Sequence, residues 1–171
     1  NNCYRIEGTT SLTYKPLNIF GKDNSGNGNL LVGDSAGNQS MSGENNTLVG
    51  INSGNSMDEG DRNTFLGSKS GFTTQDGDDN TFIGFSAGYN NVDASNNTFV
   101  GSNVGIRNTT GSNNTIIGFR ADTASGASNA IAIGNGATAA TQQTVIGVSG
   151  ASGTLDTRIY GLRTNVTATT A

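Results

Sequence analysis

The sequence predicts an all-β fold, a parallel β-roll (solenoid) wound from coils of about 17 residues. Three observations carry that expectation. A pentad ending in glycine returns at one fixed interval, at Gly33, Gly50, Gly67, Gly84, Gly101 and Gly118, with closer-spaced copies ending at Gly134 and Gly147. Self-similarity at a single period marks a chain that stacks identical units instead of folding around one core. The residues ahead of each glycine are β-branched or aromatic and bounded by Gly and Asn, which is strand chemistry. No copy has the length or the three-to-four spacing of a helix.

Residues 1–28 read as a non-repeating lead-in with a degenerate copy at Asn18-Ile19-Phe20-Gly21, and residues 29–148 form the repeat block. Residues 149–171 pass from a Gly/Ser/Ala-rich hinge into Thr157-Arg158-Ile159-Tyr160-Gly161-Leu162, a neck or connector. Within each copy the position before the glycine is aliphatic: Val32, Val49, Leu66, Ile83, Val100, Ile117, Ile133 and Ile146. Two before it stand Leu31, Leu48, Phe65, Phe82, Phe99, Ile116, Ala132 and Val145. Thr47, Thr64, Thr81, Thr98, Thr115 and Thr144 hold the third place, and Asn29, Asn46, Asn63, Asn80, Asn97 and Asn114 the fourth. The second half of each copy, such as Phe85-Ser86-Ala87-Gly88, is read as another short strand, and the rest as turn-formers.

A four-residue strand cannot satisfy its own backbone groups, but its equivalent one coil on, about 4.7–4.9 Å away, can. The first strands are therefore expected to form one parallel ladder, with Asn above Asn and Thr above Thr adding side-chain bonds. Adjacent strand residues face opposite ways. One face is expected to bury itself in the thin coil beside Ala36, Ser53, Ser70, Ala87 and Ala121. The other then displays Leu48, Phe65, Phe82, Phe99 and Ile116 as a contact between chains, since a continuous apolar row marks an interface. A wider monomeric coil, capped by its own loops, is the alternative.

Composition narrows the function. The 171 residues hold 32% hydrophobic and 13% charged residues, with 26 Gly, and their regular recurrence separates the chain from a disordered linker. A net charge of −4 without a basic cluster argues against nucleic acid. No apolar run is long enough to cross a bilayer and no signal-peptide pattern opens the chain, whose two ends read as cuts in a longer protein. Cys3 is the single cysteine, so an internal disulfide is excluded and a spare thiol is the simplest reading. The absence of histidine removes the commonest general base and metal ligand.

Asn129-Ala130-Ile131-Ala132-Ile133-Gly134-Asn135-Gly136-Ala137-Thr138-Ala139 resembles the head repeat of YadA-like trimeric autotransporter adhesins. The longer copies, such as Asn96-Asn97-Thr98-Phe99-Val100-Gly101, are similar to variants in bacterial surface fibres and phage tail-fibre-like proteins. The resemblance covers residues 29–148 well and Thr157–Arg163 loosely. It implies a left-handed parallel β-roll, three chains packed side by side as a homotrimer, and a non-enzymatic adhesive or structural fibre head at the cell surface. Phe or Leu replaces the family's small residue two before the glycine, which implies a wider trimer axis.

Recognition is expected on the long inter-coil turns 55–61, 73–79 and 90–95, where the copies differ most. Asp58, Glu59, Asp61, Asp76, Asp78, Asp79, Tyr89 and Asp93 are the candidate contacts to a surface glycan or protein receptor. The acidic loops lack the EF-hand and calcium-roll spacings, so they read as solvated tips and no metal or other cofactor is expected. Paired carboxylates also cleave glycosides, but nothing places these in a cleft. Asn45, Asn96, Asn108 and Asn113 match an Asn-x-Thr acceptor; three of the four sit at the same place in the repeat, so the ladder explains them without modification. The Thr row leaves a second function open, a monomeric solenoid that orders water on ice or binds another repetitive surface.

Overall fold

A computed structural model describes residues 19–20, 27–38 and 40–147. Cys3 and the connector at 149–171 lie outside the described residues, as does most of the lead-in. No helix occurs among the described residues, and the strands are β1 (Ile19–Phe20), β2 (Leu30–Val32), β3 (Thr47–Val49), β4 (Thr64–Leu66), β5 (Thr81–Ile83), β6 (Thr98–Val100), β7 (Thr115–Ile117), β8 (Asp122–Thr123), β9 (Ile131–Ile133), β10 (Thr138–Ala139) and β11 (Thr144–Ile146). Strands β2, β3, β4, β5, β6, β7, β9 and β11 lie parallel in chain order, so the chain is a β-solenoid of about seven turns. Their register is in phase: Thr47 pairs with Thr64, Phe65 with Phe82, Ile83 with Val100.

The degenerate copy in the lead-in does not add a coil. Strand β1 runs antiparallel to β2, with Ile19 opposite Val32 and Phe20 opposite Leu31. The second strand expected in each coil is also missing from most of them. Among the described residues only β8 and β10 pair there, in the last coils. Elsewhere left-handed residues interrupt the extended run; in Phe85-Ser86-Ala87-Gly88, Ser86 has φ 52° and Gly88 φ 61°. What remains are isolated backbone bonds between coils, such as Gly71 N–H to Ala87 O at 2.9 Å and Ser86 N–H to Ser68 O at 3.0 Å.

The core is centred on a column of one large side chain per coil, with smaller buried residues such as Ala87 and Val104 beside it. Leu48, Phe65, Phe82, Phe99 and Ile116 are fully buried, and the three phenylalanines stack face to face. Ring centroids lie 4.7 Å apart between Phe65 and Phe82 and 4.8 Å apart between Phe82 and Phe99. That spacing is the strand spacing itself, so in-phase register stacks the rings without further adjustment. The space comes from across the coil, where a Cβ on Gly88 would sit 2.5–2.9 Å from three carbons of the Phe82 ring.

Beside the rings runs a buried asparagine ladder. Asn80 Oδ1 accepts from Asn97 N–H at 3.0 Å, while its Nδ2 donates to Ala94 O at 2.8 Å. The same pair of bonds recurs at Asn46, Asn63 and Asn97. The amide thus ties each strand start to the next coil and satisfies a carbonyl on its own coil, which buried backbone requires. The Asn part of the expected ladder is therefore present, though it works mostly through backbone; one amide–amide bond, Asn63 Nδ2 to Asn46 Oδ1 at 3.1 Å, joins it. The coil tapers at its end: the offset between equivalent bonds falls from 17 residues to 16 and then 13 as Ala132 replaces the large core residue.

Candidate functional site

Strand parity sets which side chains leave the coil. With Asn and the Phe/Leu column inside, Thr and the aliphatic residue before each glycine must point out. The outer face of the ladder is therefore two parallel columns. One runs Leu30, Thr47, Thr64, Thr81, Thr98, Thr115, Ile131 and Thr144. The other holds the aliphatic series, with Leu66, Ile117 and Ile146 exposed and Val49, Ile83, Val100 and Ile133 half-buried. Neither column contains a charged side chain.

This corrects the expected interface. Leu48, Phe65, Phe82, Phe99 and Ile116 have no exposed surface in a single chain, so they cannot meet a second one. The large residues two before the glycine widen the coil and fill it, rather than widening an axis between chains. The apolar row left facing outward is the aliphatic column one residue further on. Contrary to the expected Thr ladder, the hydroxyls of this column do not bond one another. Among the described residues the threonine hydroxyls bonded to protein are those of Thr73, Thr74, Thr138 and Thr141, none of them in this column.

A third outward column begins just past each glycine, where the chain turns the corner. Ile51, Phe85 and Phe119 stand there at 56%, 52% and 48% exposure, with Ser68 and Ser102 between them. The Arg120 guanidinium lies 5.0 Å from the Phe119 ring centroid, a cation–π contact at the edge of this strip. Sequence reading passed over these residues because their period is two coils, not one.

The acidic turns are engaged in holding coils together. Asp61 Oδ1 accepts from Glu44 N–H and Asp78 Oδ1 from Asp61 N–H, both at 2.7 Å. Ser95 and Ser112 continue the same capping further on, at 3.0 and 3.1 Å. Asp79 takes two bonds from Arg62, at 2.7 and 2.9 Å, and Asp76 accepts from Glu59 N–H at 3.4 Å. The Arg62 bonds hold the Asp79 carboxyl below its ordinary range and keep Arg62 protonated above its own. Asp58, Glu59 and Asp93 point to solvent, and Tyr89 is half-buried, stacked on Phe72 at 5.0 Å. Among the described residues no group of three or more such side chains is placed to hold a metal ion.

One carboxylate that the sequence did not single out is buried. Asp122 replaces the glycine that faces the core column in earlier coils, and its oxygens accept from Arg107 N–H, Arg107 Nε and Thr123 N–H. Burial pushes its carboxyl above the ordinary value despite those bonds. No family model, curated protein or solved structure matches the chain.

Proposed function

We propose that this chain is a non-enzymatic head segment of a surface fibre, in which three copies pack side by side through the outer face of the ladder. The single observation that carries this reading is the uncharged aliphatic column running the full length of the solenoid with Leu66, Ile117 and Ile146 exposed. Soluble single chains seldom leave a contiguous apolar strip of that length uncovered. The likeness of residues 129–139 to YadA-like heads supplies the number of copies and the extracellular, cell-surface setting. In this reading the coils are scaffold. Recognition of a glycan or protein receptor falls to the turns, where the carboxylates of Asp58, Glu59 and Asp93 are exposed and accept no bond from the protein among the described residues. Asp61, Asp76, Asp78 and Asp79 serve the scaffold instead, through their bonds between coils.

Sedimentation equilibrium tests the assembly directly. Three copies of a 17.4 kDa chain give about 52 kDa. A chain that stays at its single-copy mass across the micromolar range contradicts the reading.

One observation favours a second reading. Five threonines in successive coils face outward in register, with hydroxyls that bond nothing in the protein among the described residues. Such an array beside an aliphatic column suits a monomer that orders water or docks on a regular solid. A single-copy mass together with thermal hysteresis would establish that reading in place of the fibre.

A further inference from the structure

We infer that Ile51, Phe85 and Phe119 fix the height at which neighbouring copies sit along the solenoid axis, granted the side-by-side assembly proposed above, on which this rests. The strand face alone cannot do so. Its columns repeat at every coil, Thr on Thr and aliphatic on aliphatic. A copy displaced by one coil would therefore meet nearly the same surface, as weakly specified repeats do when they slip.

The corner column breaks that degeneracy. Consecutive coils are joined along it by backbone bonds, Ser86 N–H to Ser68 O at 3.0 Å and Asn103 N–H to Phe85 O at 2.8 Å, so its members stand in line. Large apolar side chains occur there at alternate coils, 34 residues apart in sequence, with serine between and Asp34 and Asn135 at the ends. Their spacing along the axis is two strand separations, about 9–10 Å. A surface that fits a row of that pitch needs the same pitch, and a second copy of this chain has it by construction. A slip of one coil brings each apolar side chain to the level where serine stood. The partner is thus a second copy held at one height, and the column adjoins the aliphatic strip across each glycine.

The test uses photo-cross-linking. A diazirine side chain replaces Thr98 on the outer face, and ¹⁵N-labelled and unlabelled chains are refolded together so that products between chains are identified by mass. The parent should cross-link to a single coil of its neighbour. The variant Ile51→Ser/Phe85→Ser/Phe119→Ser should keep its mass but spread its products over coils 17 residues apart. Serine is compatible with the fold at this place, since Ser68 and Ser102 already occupy it. A variant that still cross-links to one coil overturns the inference, and so does one that falls to single chains, because the column would then hold copies together without setting their height. A parent with no product between chains removes the assembly reading and this inference together; a trimeric parent with an unchanged variant removes this inference alone.

Discussion

Replacing Phe82 by alanine tests whether the aromatic column is interior. The side chain is fully buried, with Phe65 stacked on one face at 4.7 Å and Phe99 on the other at 4.8 Å. Phe→Ala in a packed core costs about 3–5 kcal/mol, the lost burial plus the cavity left behind. Two stacking partners are lost at once, and the ring's edge rests against Gly88, which carries no side chain to fill the gap. The cost therefore belongs at the upper end, about 4–5 kcal/mol. Phe82→Leu should cost less, about 1–2 kcal/mol, because Leu48 and Ile116 hold the same place in other coils. Urea denaturation followed by circular dichroism measures both. The loss is internal to one chain, so the difference from the parent should be the same at every protein concentration. An alanine variant within about 1 kcal/mol of the parent would refute an interior role. So would a difference that grows on dilution, which would return the ring to a contact between chains.

Further outcomes follow from the same geometry. Asn80→Ala leaves Asn97 N–H and Ala94 O buried without partners, at about 1–3 kcal/mol each, and should lower the urea midpoint about as far as Phe82→Ala does. Gly84→Ala should be similarly damaging by thermal melting, since Gly84 has φ 130° and a methyl there would run into the carbonyl of Gly101. Asp78→Asn should melt within about 0.5 kcal/mol of the parent, because an amide oxygen still accepts from Asp61 N–H and serine does the same work two coils on; Asp78→Ala should not. For Asp122 the folded pKa is raised, so protonation favours the fold and stability is lost as pH rises from 3.8 through the folded value. Stability measured from pH 3.5 to 6.5 should thus move in favour of Asp122→Asn relative to the parent as pH rises. Asp79 works in the opposite direction: its folded pKa is lowered, and its contribution disappears as pH falls below 3.8.

The period, the strand position and the in-phase ladder were legible because each coil repeats the same residue types at the same offsets. What parity faced inward was not, since two adjacent apolar positions alternate across a strand whichever one is buried. Two signals in the chain resolve it. Asn80 and Phe82 are two apart and so share a face, and an asparagine repeated in every coil suits a buried bond to backbone better than open solvent. The second signal is a pairing across the coil. Phe65, Phe82 and Phe99 face Gly71, Gly88 and Gly105, whereas Ile116 and Ala132, in the narrowing coils, are followed at the same offset by Asp122 and Thr138. Large residues thus stand where the opposite wall has no side chain. The acidic turns were misleading for a different reason: a carboxylate that caps a backbone N–H one coil away has the same composition as one that meets a ligand. Only the 2.7 Å bonds at Asp61 and Asp78 separate the two.

The measurement that bears most directly on the account is the solution mass of Leu66→Asn/Ile83→Asn/Val100→Asn, with its circular dichroism recorded beside the parent's. These three side chains point out of the coil, so their loss should leave the solenoid folded while removing the face proposed to join copies. The account predicts a β-rich single chain of 17.4 kDa where the parent is a trimer. A variant that keeps the parent's trimeric mass, or one that loses its β structure altogether, would contradict it.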